Sequence, residues 1–405
     1  MKCLPRQMSA RRTERATSVR NTFSFEALAR FPDLQADNLM AVDATDRLVL
    51  TEAATAIGAT TSGQVVVVGD RYGAMTLGAL ALHGARDVRV HQDLITGEQA
   101  LAANAIRAGD AAPGLAGGFR QLQLTPELFA GATVVIGQLP KSLDALREIA
   151  QLAATNCDAA ATMFLGGRIK HMTRAMNDVL HDSFTDVRAC LAQQKSRVLV
   201  AGGRRPDVDG QAVASGTRPY PLRQHHLDLD LWVCAHGAAF AGTKVDIGTR
   251  FLLEFLDRMA PAASTAVDLG CGTGIIASVL ARARPRLSVL ATDESSGAVS
   301  SALATVAANG LGERVRVLRD DAMSTLADAS VDLVVCNPPF HLGTSVHSGA
   351  SVKLFQAAGR VLKPGGQLWT VFNSHLPYPS QLARAVGGTR VAGRNTKFTV
   401  AVSTR

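Results

Sequence analysis

The sequence predicts an α/β protein made of two tandem domains, each a mostly parallel sheet wound with helices. Two observations carry that expectation. Short apolar runs alternate with helical patterns along the 405 residues, which is the signature of βαβ units. The chain also states its pattern twice. VVVVGDRYGAMTLGALA from Val65 matches AVDLGCGTGIIASVLA from Ala266: an apolar run, a glycine turn, then a helix.

The later elements keep the same order. VRVHQD (Val88 to Asp93) matches SVLATD (Ser288 to Asp293), each ending in an aspartate, and each is followed by an alanine-rich helix that runs to a glycine. TVVIGQLPK from Thr133 then matches DLVVCNPPF from Asp332. The offsets are 201, 200 and 199 residues, and accident does not give three matched elements in one order. Between the halves, GGRRPDVDGQAVASGTRPYPLRQHH (Gly202 to His226) is rich in Gly, Pro and Arg, as irregular connections are. The expected division is a basic flexible arm over 1–22, a first domain over 23–201, a connection over 202–232 and a second domain over 233–405.

Composition narrows the class. Hydrophobic residues make up 47% and charged residues 19%, which suits packed cores and excludes a disordered chain. No apolar run reaches the roughly 18 residues of a membrane span, so a soluble, cytoplasmic protein with no membrane partner is expected. The formal net charge of +8 favours an anionic partner such as nucleic acid. The six cysteines include no C-x-x-C pair, which argues against zinc and disulfide frameworks and against any metal. Lys2, Arg6, Arg11, Arg12, Arg15 and Arg20 crowd the N-terminus without an apolar core, so it is not a secretory signal.

VDLGCGTG, Val267 to Gly274, ends a strand in a glycine turn. Gly270, Gly272 and Gly274 let the backbone bend and let a ligand approach, and the following helix turns its N–H groups toward that ligand. A dinucleotide fingerprint needs its third glycine where Ile275 stands, and Asp268 lies inside the strand, so a nicotinamide dehydrogenase is disfavoured. Asp293 ends the next strand and can accept from a ribose diol. Asp321-Ala322 ends the strand after that and can hold an adenine amine. A pocket for an adenosine with a small charged tail and no phosphates fits S-adenosyl-L-methionine.

Asn337-Pro338-Pro339-Phe340 closes the set. The prolines have no N–H, so this step offers acceptors only. The side-chain oxygen of Asn337 and the carbonyl of Pro338 can converge on one NH2 group. Accepting both protons frees the lone pair of an amine for in-line attack on a methyl sulfonium. Pro339 fixes the step and Phe340 offers a face on which a base can stack. His341 and His347 follow in a Gly/Ser/Thr-rich loop and are candidate substrate contacts.

These motifs resemble the class I S-adenosylmethionine-dependent methyltransferases (Rossmann-like domains) that methylate amines. NPPFH, with HGAAFAGTKVDIGTRFLL from His236, resembles the bacterial ribosomal RNA guanine-N2 methyltransferases, which are tandem duplications with a degenerate first domain. AVDATDRLVL, QLPKSLDAL and GRIKHM resemble the large-subunit (23S) branch more than the small-subunit (16S) one. The resemblance implies further pocket residues at Phe240, Asp246, Gly248 and Thr249. It implies as partner ribosomal RNA or a ribosomal subunit assembly intermediate.

The first half lacks the chemistry. Val67 stands in place of Asp268, Arg71 in place of Gly272, and Gln138-Leu139-Pro140-Lys141 in place of NPPF. A non-catalytic, methyltransferase-like domain that holds RNA or shields its neighbour is expected. Lys141, Arg168, Lys170, His171 and Arg174 are its candidate phosphate contacts. Two rival functions remain at this level: the same transfer to adenine N6 or a protein glutamine, and a catalytically silent RNA-binding assembly factor.

Overall fold

The computed structural model describes residues 23–33, 35, 39–109, 114–205, 218–338 and 345–405, the last stretch with side chains from 350 onward. The basic arm over 1–22 lies outside them. The first half runs α1 (Ala44–Gly58), β1 (Val65–Val68), α2 (Ala74–His83), β2 (Val88–His91), α3 (Ile95–Gly109), β3 (Phe119–Gln121), α4 (Pro126–Phe129), β4 (Val134–Gln138), α5 (Leu143–Asn156), β5 (Thr162–Arg168), α6 (Arg174–His181), β6 (Phe184–Ala189) and β7 (Ser196–Arg204). A hairpin follows, β8 (Leu222–His226) and β9 (Leu231–Ala235). The second half runs α7 (Ile247–Leu253), β10 (Thr265–Leu269), α8 (Ile275–Ala283), β11 (Ser288–Asp293), α9 (Ser296–Ala308), β12 (Val315–Arg319), β13 (Val331–Cys336), α10 (Ser345–Val361), β14 (Leu362–Asn373), α11 (Tyr378–Ala385), β15 (Gly388–Arg394) and β16 (Phe398–Thr404).

The two sheets share one topology. The first is ordered β3-β2-β1-β4-β5-β7-β6 and the second β12-β11-β10-β13-β14-β16-β15. In each, five strands run parallel and the last two pair antiparallel. Alternation sends the side chains to two separate layers. Val65 and Val67 pack with α1, α2 and α3, while Val66 and Val68 pack with α4, α5 and α6. In the second half Ala266 faces α8 and α9, and Val267 and Leu269 face α10 and α11. Strands buried on both faces are the rule for parallel sheets, hence the unbroken VVVV of β1. Trp369, Phe355 and Phe372 are among the largest side chains wholly removed from water, each contributing about 2–3 kcal/mol.

Register corrects one match drawn from sequence. Gly69 N donates to His91 O at 3.0 Å, and Gly270 N donates to Thr292 O at 2.9 Å. His91 is therefore the counterpart of Thr292, Gln92 that of Asp293, and Asp93 that of Glu294. The two terminal aspartates are one position out of step, because strand periodicity does not count residues beyond the strand's end.

The connection is also not wholly irregular: β7 extends into it, and β8 and the start of β9 lie within 202–232. The edge of β9 is covered by one face of α9. Asn309 Oδ1 accepts from Trp232 N (3.0 Å), Thr305 Oγ1 from Cys234 N (2.9 Å) and Ser301 Oγ from His236 N (2.9 Å). Their four-residue spacing puts all three on one side of the helix. The halves themselves dock through Glu148, whose Oε2 accepts from Gly237 N at 2.7 Å and whose Oε1 lies 2.6 Å from His236 Nδ1.

Candidate active site

The glycine turn opens onto space at the C-terminal edge of the second sheet. Gly270 and Gly272 have φ of 72° and 53°, and a Cβ built on either meets nothing within 4 Å. Gly274 differs: at φ 75° it precedes α8, and a Cβ there would lie 3.1 Å from the backbone of Ala302. It lets two helices approach rather than bordering the cavity. Asp268 is wholly buried and does not line the space either. Its Oδ2 accepts from Ala277 N at 2.9 Å, which fixes α8 against the strand. Burial pushes its carboxyl up to about 7.

Asp293 faces the turn. Its Oδ2 accepts from Gly272 N at 3.0 Å and its Oδ1 from Ser295 N at 2.9 Å. Burial raises its pKa, and the two backbone N–H bonds oppose the rise. Each carboxylate oxygen keeps a lone pair for a hydroxyl. Beyond β12, Ala322 adopts φ 51°, turning the chain sharply after Asp321, whose carboxylate is paired with Lys353. These three strand ends, β10, β11 and β12, are neighbours in the sheet. A flexed glycine turn, a ribose-height carboxylate and a turned backbone segment in that order fit an adenosine.

Asn337 directly follows β13, beside β10. Its Nδ2 donates to Thr249 Oγ1 at 2.9 Å and to Asp246 Oδ2 at 3.2 Å. Asp246 caps α7, accepting from Gly248 N and Thr249 N. Both amide protons are thereby used, and the amide cannot flip without losing them. Oδ1 is left buried with no hydrogen-bond partner among the described residues. A buried lone acceptor is costly unless something donates to it. Pro338 is buried next to it. Pro339, Phe340 and His341 lie outside the described residues, as does the side chain of His347.

Thr249 is buried at the site, whereas Phe240 stands 72% exposed on the turn after β9. Lys141, Lys170 and Arg174 sit elsewhere, exposed at the C-terminal edge of the first sheet, after β4, after β5 and at the start of α6. His171 is exposed beside them, and Arg168 lies 3.6 Å from Asp43. At the glycine position of the first half, Arg71 holds φ 54°, costing about 1 kcal/mol, and its charge bears on buried Asp46. The sequence alone did not point to Glu148, His236 or Arg319, which join the halves; a charged residue at a domain face has no periodic signature.

Among the described residues no helix is long and apolar enough to cross a membrane, and no group of His, Cys, Asp or Glu is set to hold a metal.

Fold and site together define a class I methyltransferase with two such domains in one chain. Residues 230–402 match the methyltransferase small domain family and residues 16–205 the RLMG N-terminal domain. The chain belongs to the ribosomal RNA large subunit methyltransferase G family. It is 34% identical to the Streptomyces avermitilis protein of that name, over 92% of this chain and 95% of the relative. It is 33% identical to the Pseudomonas aeruginosa protein, over 92% and 96%. Among solved structures, the T. thermophilus 16S rRNA N2 methyltransferase RsmC, in complex with AdoMet and guanosine, superposes with a TM-score of 0.65 at 20% identity, covering 87% of this chain and 92% of that one. That likeness establishes the shared two-domain fold.

Proposed function

We propose that this protein methylates the exocyclic N2 amine of a guanine in large-subunit ribosomal RNA, with S-adenosyl-L-methionine as donor. The observation that carries the reading is Asn337: an amide whose two protons are tied to Asp246 and Thr249 and whose buried oxygen waits for a donor. The names of the relatives, and the AdoMet and guanosine bound together in the RsmC complex, point the same way.

When bound, the cofactor supplies an electrophilic methyl group on a sulfonium. Gly270 and Gly272 make room for it, Asp293 holds the ribose, and Asp321 and Ala322 border the adenine. Asn337 Oδ1 and the carbonyl of Pro338 accept one amine proton each. The guanine nitrogen is then turned and pyramidalised so that its lone pair leaves conjugation with the ring and points along the line of transfer. No strong base is needed: as the N–C bond forms the methyl–sulfur bond breaks, its electron pair stays on sulfur as a neutral thioether, and the nitrogen, now carrying the positive charge, is acidic enough to give its surplus proton to water. Phe340 is assigned the stacking face for the base, which must leave its helix first. Lys141, Lys170 and Arg174 are assigned to RNA phosphates. The protein then acts in the cytoplasm, on RNA or on a subunit assembly intermediate.

Nucleoside mass spectrometry of 23S and 16S rRNA from a deletion strain, complemented with wild type or Asn337→Ala, tests this. One N2-methylguanine should vanish from 23S rRNA on deletion and return only with wild type. Full return with Asn337→Ala overturns the mechanism. A lost adenine mark, or a lost glutamine mark on a protein, overturns the substrate.

A further inference from the structure

The chain just after β2 in the first domain reaches two of the cofactor-binding strand ends of the second, those of β11 and β12. Leu94 forms an isolated antiparallel bridge with Ser295. Around it Ile95 N donates to Glu294 O (3.0 Å) and Ser296 N to Asp93 O (2.6 Å). With Asp93 the counterpart of Glu294, these two bonds are equivalents, related by an approximate two-fold axis through the bridge.

The side chains break that symmetry. Asp93 Oδ1 accepts from Ser295 Oγ and from Gly297 N, both at 2.9 Å. Ser295 is the N-cap of α9 and donates its own N–H to Asp293, so the carboxylate of Asp93 fixes the residue that fixes Asp293. The same strand end also grips the adenine side. Arg319, the last residue of β12, donates through Nη2 to Gln92 O and Asp93 O, both at 3.0 Å, and pairs through Nη1 with Glu98 at 2.7 Å. Arg319 and Glu98 are largely shielded, with side chains 14% and 23% exposed. Asp321 follows Arg319 by two residues.

We propose that Asp93 and Glu98 of the degenerate domain are positioning residues for the cofactor pocket of the other domain, holding the ribose and adenine segments through Ser295 and Arg319. The inference rests on the functional reading above and adds to it: the first domain acts on cofactor affinity, separately from any hold on RNA. The docking contacts at Glu148 are elsewhere in the interface, so loss of the Asp93 carboxylate leaves the halves joined.

The test is calorimetric binding of S-adenosylmethionine to the full chain, with no RNA present. Asp93→Ala should weaken binding about tenfold. Asp93→Asn keeps an oxygen that can accept both bonds and should bind within about threefold of wild type. At saturating cofactor the kcat of Asp93→Ala on RNA should match wild type, and its melting temperature should stay close. Equal binding by wild type and Asp93→Ala overturns the proposal. So does a parallel fall of affinity, kcat and melting temperature in both variants, which marks a general loss of structure. If wild type binds no S-adenosylmethionine, the functional reading fails first and this one with it.

Discussion

Asn337 and Gln138 stand at the ends of corresponding strands, and each donates its side-chain amide to the first turn of the helix that opens its own half. Asn337 donates to Thr249 Oγ1 at 2.9 Å, and Gln138 to Asp46 Oδ1 at 2.5 Å. VDATDR and VDIGTR align so that Asp46 occupies the place of Thr249. The tether is present in both halves. In the second half it decides which way the amide faces.

Thr249→Val should therefore act on kcat rather than on cofactor binding. It removes one of two acceptors of Nδ2 and lets the amide turn. Turnover should fall about tenfold with the cofactor KM unchanged. Asn337→Asp removes both donors and sets a carboxylate against Asp246; steady-state kinetics should show a loss of about 100-fold or more.

Gly272→Arg copies Arg71 into the active half. The residue would keep φ 53° at a cost of about 1 kcal/mol and extend into the cavity. Cofactor binding should vanish by calorimetry while the fold, by circular dichroism, survives, as the first half shows that it can. Arg71→Gly should not create a second site, since Gln92 stands where Asp293 would.

The buried carboxyl of Asp268 has a pH signature. Its folded pKa, about 7, lies above the ordinary carboxylate value. The native state thus holds a proton that the unfolded chain has already released. Its contribution is full below about pH 4 and is lost as pH rises to about 7, at roughly 1.4 kcal/mol per pH unit. Asp268→Asn keeps an acceptor for Ala277 N and does not titrate. Its melting temperature relative to wild type should climb between pH 5 and 7 and then level off.

Glu148 anchors the two halves. Glu148→Ala strands Gly237 N–H and His236 in a closed interface, at about 2–3 kcal/mol. Gly237→Ala acts by sterics: its Cβ would lie 2.3 Å from Asp144 O. Scanning calorimetry should show one unfolding transition in wild type and two in either variant.

Much of this was legible in the residues. The duplication, the parallel sheets and the glycine turn follow from apolar runs and glycines, which report local backbone demands. Partners across the domain face were not legible, because the bond from Asp93 to Gly297 joins residues whose pairing depends on how two finished sheets dock. Asp70 makes the same point within one half. Its carboxylate caps α2 through Met75 N and Thr76 N, the task Asp268 performs for α8, yet it sits at the counterpart of Cys271. Helix capping needs a carboxylate in a place, and more than one chain position can reach it. The aspartate match fell one residue short for a similar reason: Asp293 closes β11, paired with Arg319, whereas Asp93 lies beyond the end of β2.

The bridge between Leu94 and Ser295 has a genetic consequence. A self-complementary contact of this type is what two identical chains make when they pair. In such a pair every substitution appears on both sides at once, so a residue improved for support is spoiled for chemistry. Fusing the copies into one reading frame lifts that restriction. One copy can trade Gly for Arg71 and keep Asp93 as a brace, while the other keeps Gly272 and Asp293 intact. The first half is then better described as a specialised subunit that can never dissociate.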